Sequence, residues 1–296
     1  MSAIHIQSLL LPGERAENGV ITGEKRTCFS TFYPFKIFPQ KQLREVNFEP
    51  ITILYGGNGS GKSTLINVIA SLLNAVRYSD FNHSPFFERY VSLCQIRRSG
   101  APKKAYVLTS DDVFDYVLSA RSVNGKLDER RETLFKQYVE TYRAAFDDPS
   151  IMNLRGLDDY ERWKDVRDIL SKKRSQSQFI RDRVEGDIDL HSNGESAMRY
   201  FVDRIEEEDA VYLLDEPENS LSAERQLQLA DYIAASSRAG GSQFIIATHS
   251  PLILSLPHAK IYDLDRCPVS VAEWTELPNV RVWFDFFMKH KDKFEH

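Results

Sequence analysis

The stretch Gly56-Gly57-Asn58-Gly59-Ser60-Gly61-Lys62-Ser63-Thr64 follows the apolar run Ile51 to Tyr55 and fits the phosphate-loop pattern G-x-x-x-x-G-K-[ST] at every fixed position. The pattern constrains the fold because it works only between a buried strand and a helix. The residues after it, Leu65, Ile66, Val68, Ile69, Leu72 and Leu73, recur with the period of such a helix. Glycines let backbone N–H groups turn inward around a polyphosphate, and the helix points its positive N-terminal end at the same anion. Lys62 is then placed to reach the β- and γ-phosphates, Ser63 to ligate Mg²⁺ and Thr64 to touch the α-phosphate. A glycine-rich turn that binds nothing would need neither flanking element. An α/β fold that binds a nucleoside triphosphate is expected.

A phosphate loop alone does not separate kinases, GTPases, motors and transporters. Further along the chain, Val211-Tyr212-Leu213-Leu214-Asp215-Glu216-Pro217 reads as a buried strand ending in two adjacent carboxylates, as a Walker B strand requires. Asp215 is placed to hold Mg²⁺ through its water shell and Glu216 to orient or deprotonate the attacking water. A strand ending in a solvated acidic turn is the plainer alternative. Gln243-Phe244-Ile245-Ile246-Ala247-Thr248-His249-Ser250-Pro251 is another apolar strand with a histidine at its carboxyl end, where open α/β sheets place their ligands. His249 is therefore a candidate γ-phosphate sensor.

Between these motifs, Ser192-Asn193-Gly194-Glu195-Ser196 opens a helical pattern carried by Met198, Phe201, Val202 and Ile205. In this order and spacing the chain resembles the ABC-type ATPases, whose Ser-Gly-Gly-Gln signature precedes Walker B at the same offset. Asn193 stands in place of the first glycine and Glu195 in place of the glutamine. Ser192 and Gly194, the residues the resemblance implies for the γ-phosphate, are kept. Asp215-Glu216-Pro217-Glu218-Asn219-Ser220-Leu221, paired with Ala-Thr-His-Ser-Pro, is similar to the soluble branch related to chromosome-maintenance, recombination-repair and phage-defence ATPases. Small stand-alone bacterial ATPases of that branch look like the whole chain.

The resemblance implies ATP with Mg²⁺ as ligand, and a P-loop NTPase fold with a mixed central sheet, N-terminal antiparallel strands and an inserted helical lobe. It implies one ABC-type domain over 1–296: a nucleotide-binding core lobe of 1–75 and 207–265, a helical lobe of 76–206 with the signature, and a C-terminal strand and helix in 266–296. It implies a homodimer on ATP binding, in which Ser192 and Gly194 of one copy close the site of the other. The turn at Ser220-Leu221-Ser222 would lie at the seam, with Ser222 where the family usually has Asp and free to cap the helix from Ala223. A polar residue, usually Gln, at a strand end contacts Mg²⁺ and water in this family; Asp111 and Gln95 are both candidates, and Asp111 is equally an ordinary helix-start acid.

At 296 residues the chain can bury a large two-lobed core, and no heptad run is long enough for a coiled coil. Cys28, Cys94 and Cys267 are dispersed, which argues against a disulfide framework or zinc site and for a reducing cytoplasm. No apolar stretch approaches the roughly 20 residues of a spanning helix, and the start of the chain lacks a cationic-then-apolar signal, so no membrane is expected without a partner. The formal charge of −5 excludes a protein basic all over but leaves room for a local nucleic-acid track. Arg97-Arg98 with Lys103-Lys104, and the stretch from Arg162 to Arg183, are basic; such runs are more often solvated faces.

Short β-like runs such as Thr31 to Phe38 and Val46 to Phe48 suit an N-terminal antiparallel sheet, and Phe32, Tyr33, Phe35 or Phe38 could stack on adenine if they are not core. Ala105 to Thr109 reads as a strand inside the helical lobe, with Ser110 as N-cap of the helix that follows. After His249, Ala259 to Leu264 and Val269 to Trp274 read as strands and Val280 to Phe287 as a helix with a basic end. Trp283, Phe286 and Phe287 are expected to pack on the core, or else to dock a partner.

Three function classes follow. The first is an ATP-driven dimer switch in genome maintenance or phage defence, acting on DNA or through a separately encoded effector. The second is the nucleotide-binding subunit of a membrane transporter, and the third a non-hydrolysing ATP-dependent scaffold.

Overall fold

Residues 4–26, 28–81, 83–100, 102, 104–147 and 193–294 are described by a computed structural model of the chain. In chain order the elements are β1 (Ile6–Leu10), α1 (Glu14–Gly23), α2 (Ile37–Gln40), β2 (Glu45–Asn47), β3 (Ile51–Tyr55), α3 (Lys62–Leu73), α4 (Phe87–Val91), β4 (Gln95–Arg98), β5 (Ala105–Thr109), α5 (Ser110–Asp147), α6 (Asn193–Arg204), β6 (Val211–Asp215), α7 (Ala223–Ala239), β7 (Gln243–Thr248), α8 (Pro251–Leu254), β8 (Lys260–Asp263), β9 (Ser270–Val271) and α9 (Pro278–Lys289). The chain divides into two compact units, one of Met1–Phe114 with Asn193–His296 and the other of Asp115–Ser192. Within the second unit the described residues continue α5 to Asp147. Ser192 and the basic stretch from Arg162 to Arg183 lie outside the described residues.

The first unit is built on two sheets. The central one has the order β5-β6-β7-β3-β8-β9, parallel except for β9, and the smaller one is antiparallel with the order β2-β1-β4. The expected mixed sheet with N-terminal antiparallel strands is therefore present. All five residues of β3 and all six of β7 are buried, which is why their sequences run apolar without alternation: helices or sheet cover both faces. Helix α3 packs on β6 and β7, burying Leu65, Ile66, Val68 and Ile69, and α6 packs on α7.

One buried amide joins the sheets. Gln243, at the start of β7, accepts the N–H groups of His5 (3.0 Å) and Ile6 (2.8 Å) on Oε1 and donates Nε2 to the carbonyls of Ile6 (2.9 Å) and Glu49 (3.1 Å). A fully buried amide with its groups satisfied in this way fixes β1 against the end of the central sheet.

Several local expectations are corrected. Thr31 to Phe38 is not a strand, because the chain turns at 33–36 and enters α2; the antiparallel strands are β1, β2 and β4. Val46 to Phe48 becomes Glu45–Asn47, and Val269 to Trp274 shrinks to the two-residue β9 followed by a 3-10 turn at Trp274–Glu276. Strand β5, expected inside the helical lobe, is the outer strand of the central sheet, paired with β6. Trp283, Phe286 and Phe287 do not pack on the core: they are 48, 51 and 48% exposed.

The start of α5 also differs. Thr109, not Ser110, caps it: Thr109 Oγ1 accepts the Asp112 N–H (3.1 Å) while Asp112 Oδ2 accepts the Thr109 N–H (2.8 Å), a reciprocal pair that satisfies two helix-end donors. Thr109→Ala should cost about 1 kcal/mol of stability in urea denaturation. An unchanged midpoint would assign the cap elsewhere.

Candidate functional site

Parallel register brings the carboxyl ends of four strands level. Thr109 lies beside Asp215, Asp215 beside Ala247, and Tyr55 beside Thr248. The residues that follow each strand therefore emerge on one edge of the sheet, and they include Gly56, Glu216, His249 and Ser110.

After β3 the chain wraps from Gly56 to Gly61 and enters α3 at Lys62. Gly61 has φ 99°, and a Cβ there would lie 3.1 Å from the Phe38 ring and 3.2 Å from Ile37, so the position demands glycine twice over. At Gly56 a Cβ would sit 2.6 Å from Ser60 Oγ, so the loop closes on itself only without one. Lys62 is buried, and its Nζ donates to the carbonyls of Gly56 (2.8 Å) and Gly57 (3.2 Å) and lies 3.5 Å from Glu216 Oε1. The Gly57 N–H is held by Asp265 Oδ2 (2.8 Å), from the loop after β8.

The two halves of the site are also joined by a hydrogen bond. Ser63 Oγ donates to Asp215 Oδ1 at 3.0 Å across 152 residues of sequence. Burial pushes the Asp215 carboxyl up to about 6; the Ser63 hydroxyl and the Lys62 charge oppose this, and Glu216 and Glu218 add to it. Glu216 follows in the left-handed region (φ 49°, ψ 51°), which turns the chain sharply into the 3-10 turn Pro217–Ser220. Its Oε2 accepts from Asn219 Nδ2 at 3.0 Å. His249 Nδ1 lies 4.0 Å from Glu216 Oε1 and 3.3 Å from Glu218 Oε1.

Two clefts open along this edge and share Tyr33, Ser63 and Glu216. One, of about 400 Å³, follows the loop from Asn58 to Thr64. The other, of about 600 Å³, is walled by Asp215, Asp111, Arg77 and Asn67 among others. Of the four aromatic candidates for adenine, Phe35 and Phe38 are core and Phe32 packs on Phe86 at 4.9 Å, whereas Tyr33 lines both clefts and its hydroxyl is 2.9 Å from Thr64 Oγ1. Between Asp111 and Gln95, Asp111 lines the larger cleft; Gln95 sits in β4, paired with Leu10 in the other sheet. Gly194 lies in the first turn of α6.

Arg77, Glu218, Asn219 and Asn279 were not legible as site residues. Arg77 donates to Asn67 Oδ1 at 2.5 Å and sits 4.4 Å over the Phe81 ring; burial lowers its pKa, with Asp112, Asp215 and Asp80 opposing. No spacing signal marks it. Asn279, at the start of α9, donates Nδ2 to the His249 carbonyl at 2.7 Å. Ser222 caps α7 as expected, accepting the Arg225 N–H at 3.4 Å.

The donor set suits a hydrated triphosphate with a hard cation: a helix N-terminus with a lysine for the polyphosphate, and a hydroxyl and a carboxylate oxygen for Mg²⁺. Among the described residues no group of three or more His, Cys, Asp or Glu side chains is arranged to hold a metal.

Residues 147–255 match a protein family described as "AAA domain, putative AbiEii toxin, Type IV TA system", a segment that includes Asp215, Glu216 and His249. No curated protein matches the sequence. Among solved structures the chain is similar to "a putative metal-chelate type ABC transporter" in an inward-facing conformation, at 18% identity and TM-score 0.38, covering 82% of this chain and 81% of that one. It is also similar to the Smc head domain with an extended coiled coil bound to the C-terminal domain of ScpA, from Pyrococcus furiosus, at 15% identity and TM-score 0.38, covering 99% of this chain and 100% of that one. A third is the SmcHead bound to the C-winged helix domain of ScpA, at 17% identity and TM-score 0.36, covering 77% of this chain and 92% of that one. The matched segment carries β6 and β7, the strands that end at Asp215 and Thr248, and the phosphate-loop pattern of Gly56 to Thr64 lies outside it.

Asp215 yields a stability test. Because its folded pKa stands above the unfolded value of 3.8, the ionised form is disfavoured in the fold; stability is full below about pH 3.8 and is lost as pH rises through about 6. Asp215→Asn should therefore stabilise the nucleotide-free protein at pH 7.5, by up to about 3 kcal/mol, and flatten the slope between pH 4 and 6. Equal melting profiles of both proteins at pH 5 and 7.5 would contradict an ionised carboxylate held in disfavouring surroundings.

Proposed function

We propose that this chain binds and hydrolyses ATP with Mg²⁺ as a dimer switch and passes its nucleotide state to a separate protein. The observation that carries the ATPase reading is the Ser63–Asp215 hydrogen bond, with Lys62 3.5 Å from Glu216: phosphate loop, metal-side carboxylate and water-side carboxylate meet at one edge of the sheet. Mg²⁺, when bound, would neutralise charge on the phosphates. The other roles belong to the chain. The first-turn N–H groups of α3 and Lys62 bind the polyphosphate, Ser63 and Asp215 hold the cation's side of the cleft, and Thr64 meets the α-phosphate. Glu216, held by Asn219, is aimed to orient the attacking water and accept its proton. His249 senses the γ-phosphate, and Asp111 is placed to order water at the mouth of the larger cleft.

Dimerisation rests on the signature. Ser192 and Gly194 would close the site of the second copy, and the turn ending at Ser222 would lie along the seam. A partner protein is favoured by α9, where Val282, Trp283, Phe284, Phe286, Phe287 and Met288 are all about half exposed or more. Phage defence and DNA maintenance are the settings in which such a switch with an effector, or with nucleic acid, would act. Among the described residues no helix is long and apolar enough to cross a membrane, so a transporter role would need a separate membrane subunit.

Lys62→Ala should abolish ATP affinity in calorimetry and turnover with it, whereas Glu216→Gln should keep binding and lose hydrolysis by roughly 10²- to 10⁴-fold. Wild-type affinity in the first protein, or full phosphate release in the second, rejects these roles.

The composite site is tested separately. With ATP and Mg²⁺, Glu216→Gln should shift from monomer to dimer in light scattering, and adding Ser192→Arg should block the shift while ATP still binds. A doubly substituted protein that dimerises normally would reduce Ser192 to a helix cap.

A further inference from the structure

We infer that Glu218 is a positioning residue for His249, fixing both its backbone and its imidazole so that Nε2 is the nitrogen presented to the terminal phosphate; the catalytic consequence rests on the ATPase reading above. Glu218 lies in the 3-10 turn Pro217–Ser220 with its side chain only 5% exposed. One oxygen gathers three groups: Oε1 accepts the Thr248 hydroxyl at 2.7 Å and the His249 N–H at 2.9 Å, and lies 3.3 Å from His249 Nδ1. The other oxygen, Oε2, is buried and makes no hydrogen bond among the described residues. The His249 carbonyl is held from the other side by Asn279 Nδ2 at 2.7 Å, so both peptide groups of the histidine are tied down, and of the two carboxylates facing its Nδ1 that of Glu218 is the nearer, at 3.3 Å against 4.0 Å for Glu216.

The Glu218 carboxylate oxygen 3.3 Å from Nδ1, with that of Glu216 farther off at 4.0 Å, favours by its charge the tautomer that carries its proton on Nδ1, and this leaves Nε2 as the working nitrogen. A turn-to-strand staple would need only the Thr248 and His249 N–H bonds, and Gln in place of Glu keeps an acceptor for both. The two roles therefore diverge on whether the carboxylate's charge matters to the ring and to turnover.

Two measurements on the full chain decide this. In ¹⁵N spectra of the histidine rings, recorded without nucleotide at a pH where the ring is neutral, His249 should be in the Nδ1–H form and should shift toward the Nε2–H form in Glu218→Gln. In turnover, Glu218→Gln should lower kcat by the 10- to 100-fold typical of removing a group that orients a working histidine, with KM for ATP within about twofold. In a His249→Ala background the same substitution should change kcat by less than about twofold, because a residue acting through another has nothing left to act on. An unchanged tautomer, or an equal loss of kcat with and without His249, overturns the inference. The spectra read the ring whether or not ATP is the substrate, so failure of the ATPase reading stays distinguishable. If Glu218→Gln does not fold, Glu218→Asp draws the carboxylate back from Nδ1 by one methylene and should move both readouts in the same direction.

Discussion

Parallel pairing of four buried strands is the constraint on which the site depends. Because Thr109, Asp215 and Ala247 lie side by side, as do Tyr55 and Thr248, each chain segment leaves the sheet at the same level. A parallel strand needs a long crossover before its neighbour returns, so groups that meet here are far apart in sequence. A slip of one residue in β6 would turn Asp215 to the other face of the sheet and break its bond from Ser63. The core is thus what sets the geometry of the polar edge: the fully buried Ile53, Leu54, Leu213, Leu214, Ile245 and Ile246 hold the register.

The edge works against stability where it is chemically useful. Asp215 is kept ionised at neutral pH in surroundings that favour its proton, and Glu216 stands in a backbone region that costs a non-glycine residue about 1–3 kcal/mol. Both stand at the carboxyl end of β6, where the strand's own hydrogen bonds anchor them: Glu216 N–H still donates to the Ala247 carbonyl at 2.9 Å. The left-handed turn gives something in return. It brings Asn219 within 3.0 Å of Glu216 and carries Glu218 under the end of β7, so one strained residue aims two carboxylates in different directions.

The motifs read from sequence were those in which chemistry dictates residue type and spacing together. Gly56 to Thr64, Asp215, Glu216 and His249 sit on one sheet edge because strand, loop and helix are local and the apolar runs are unambiguous. Sequence reasoning failed where partners are set only by tertiary contact. Thr31 to Phe38 has β-like composition, but Tyr33 is needed at the loop and Phe38 beneath Gly61, so the chain turns there. Ser110 looked like the cap because Ser ranks high at that position, yet the Asp three residues after Thr109 makes the reciprocal pair one place earlier. Arg77 and Asn279 carry no pattern at all; each matters through contacts that only the fold brings about.

Helix α9 shows how far the edge extends. Its first turn is fixed to the site, with the Asn279 N–H 3.3 Å from the Tyr55 hydroxyl and its amide on the His249 carbonyl, while Leu277 and Val280 are buried. Beyond them every residue to Lys289 is exposed, although six of the nine from Arg281 are large and apolar. The rings partly cover one another, with Trp283 stacked on Phe287 at 5.9 Å and Phe287 against Phe294 at 6.0 Å, and Arg281 lies 4.7 Å over Phe284. Self-stacking hides only part of such a surface, and helices apolar on most sides are ordinarily buried. A groove of about 610 Å³ runs from Trp283 and Phe287 past Leu252 to Glu218 and His249. The residues around His249 are therefore also walls of an apolar exposed groove, and any movement of His249 must be accommodated at the root of α9.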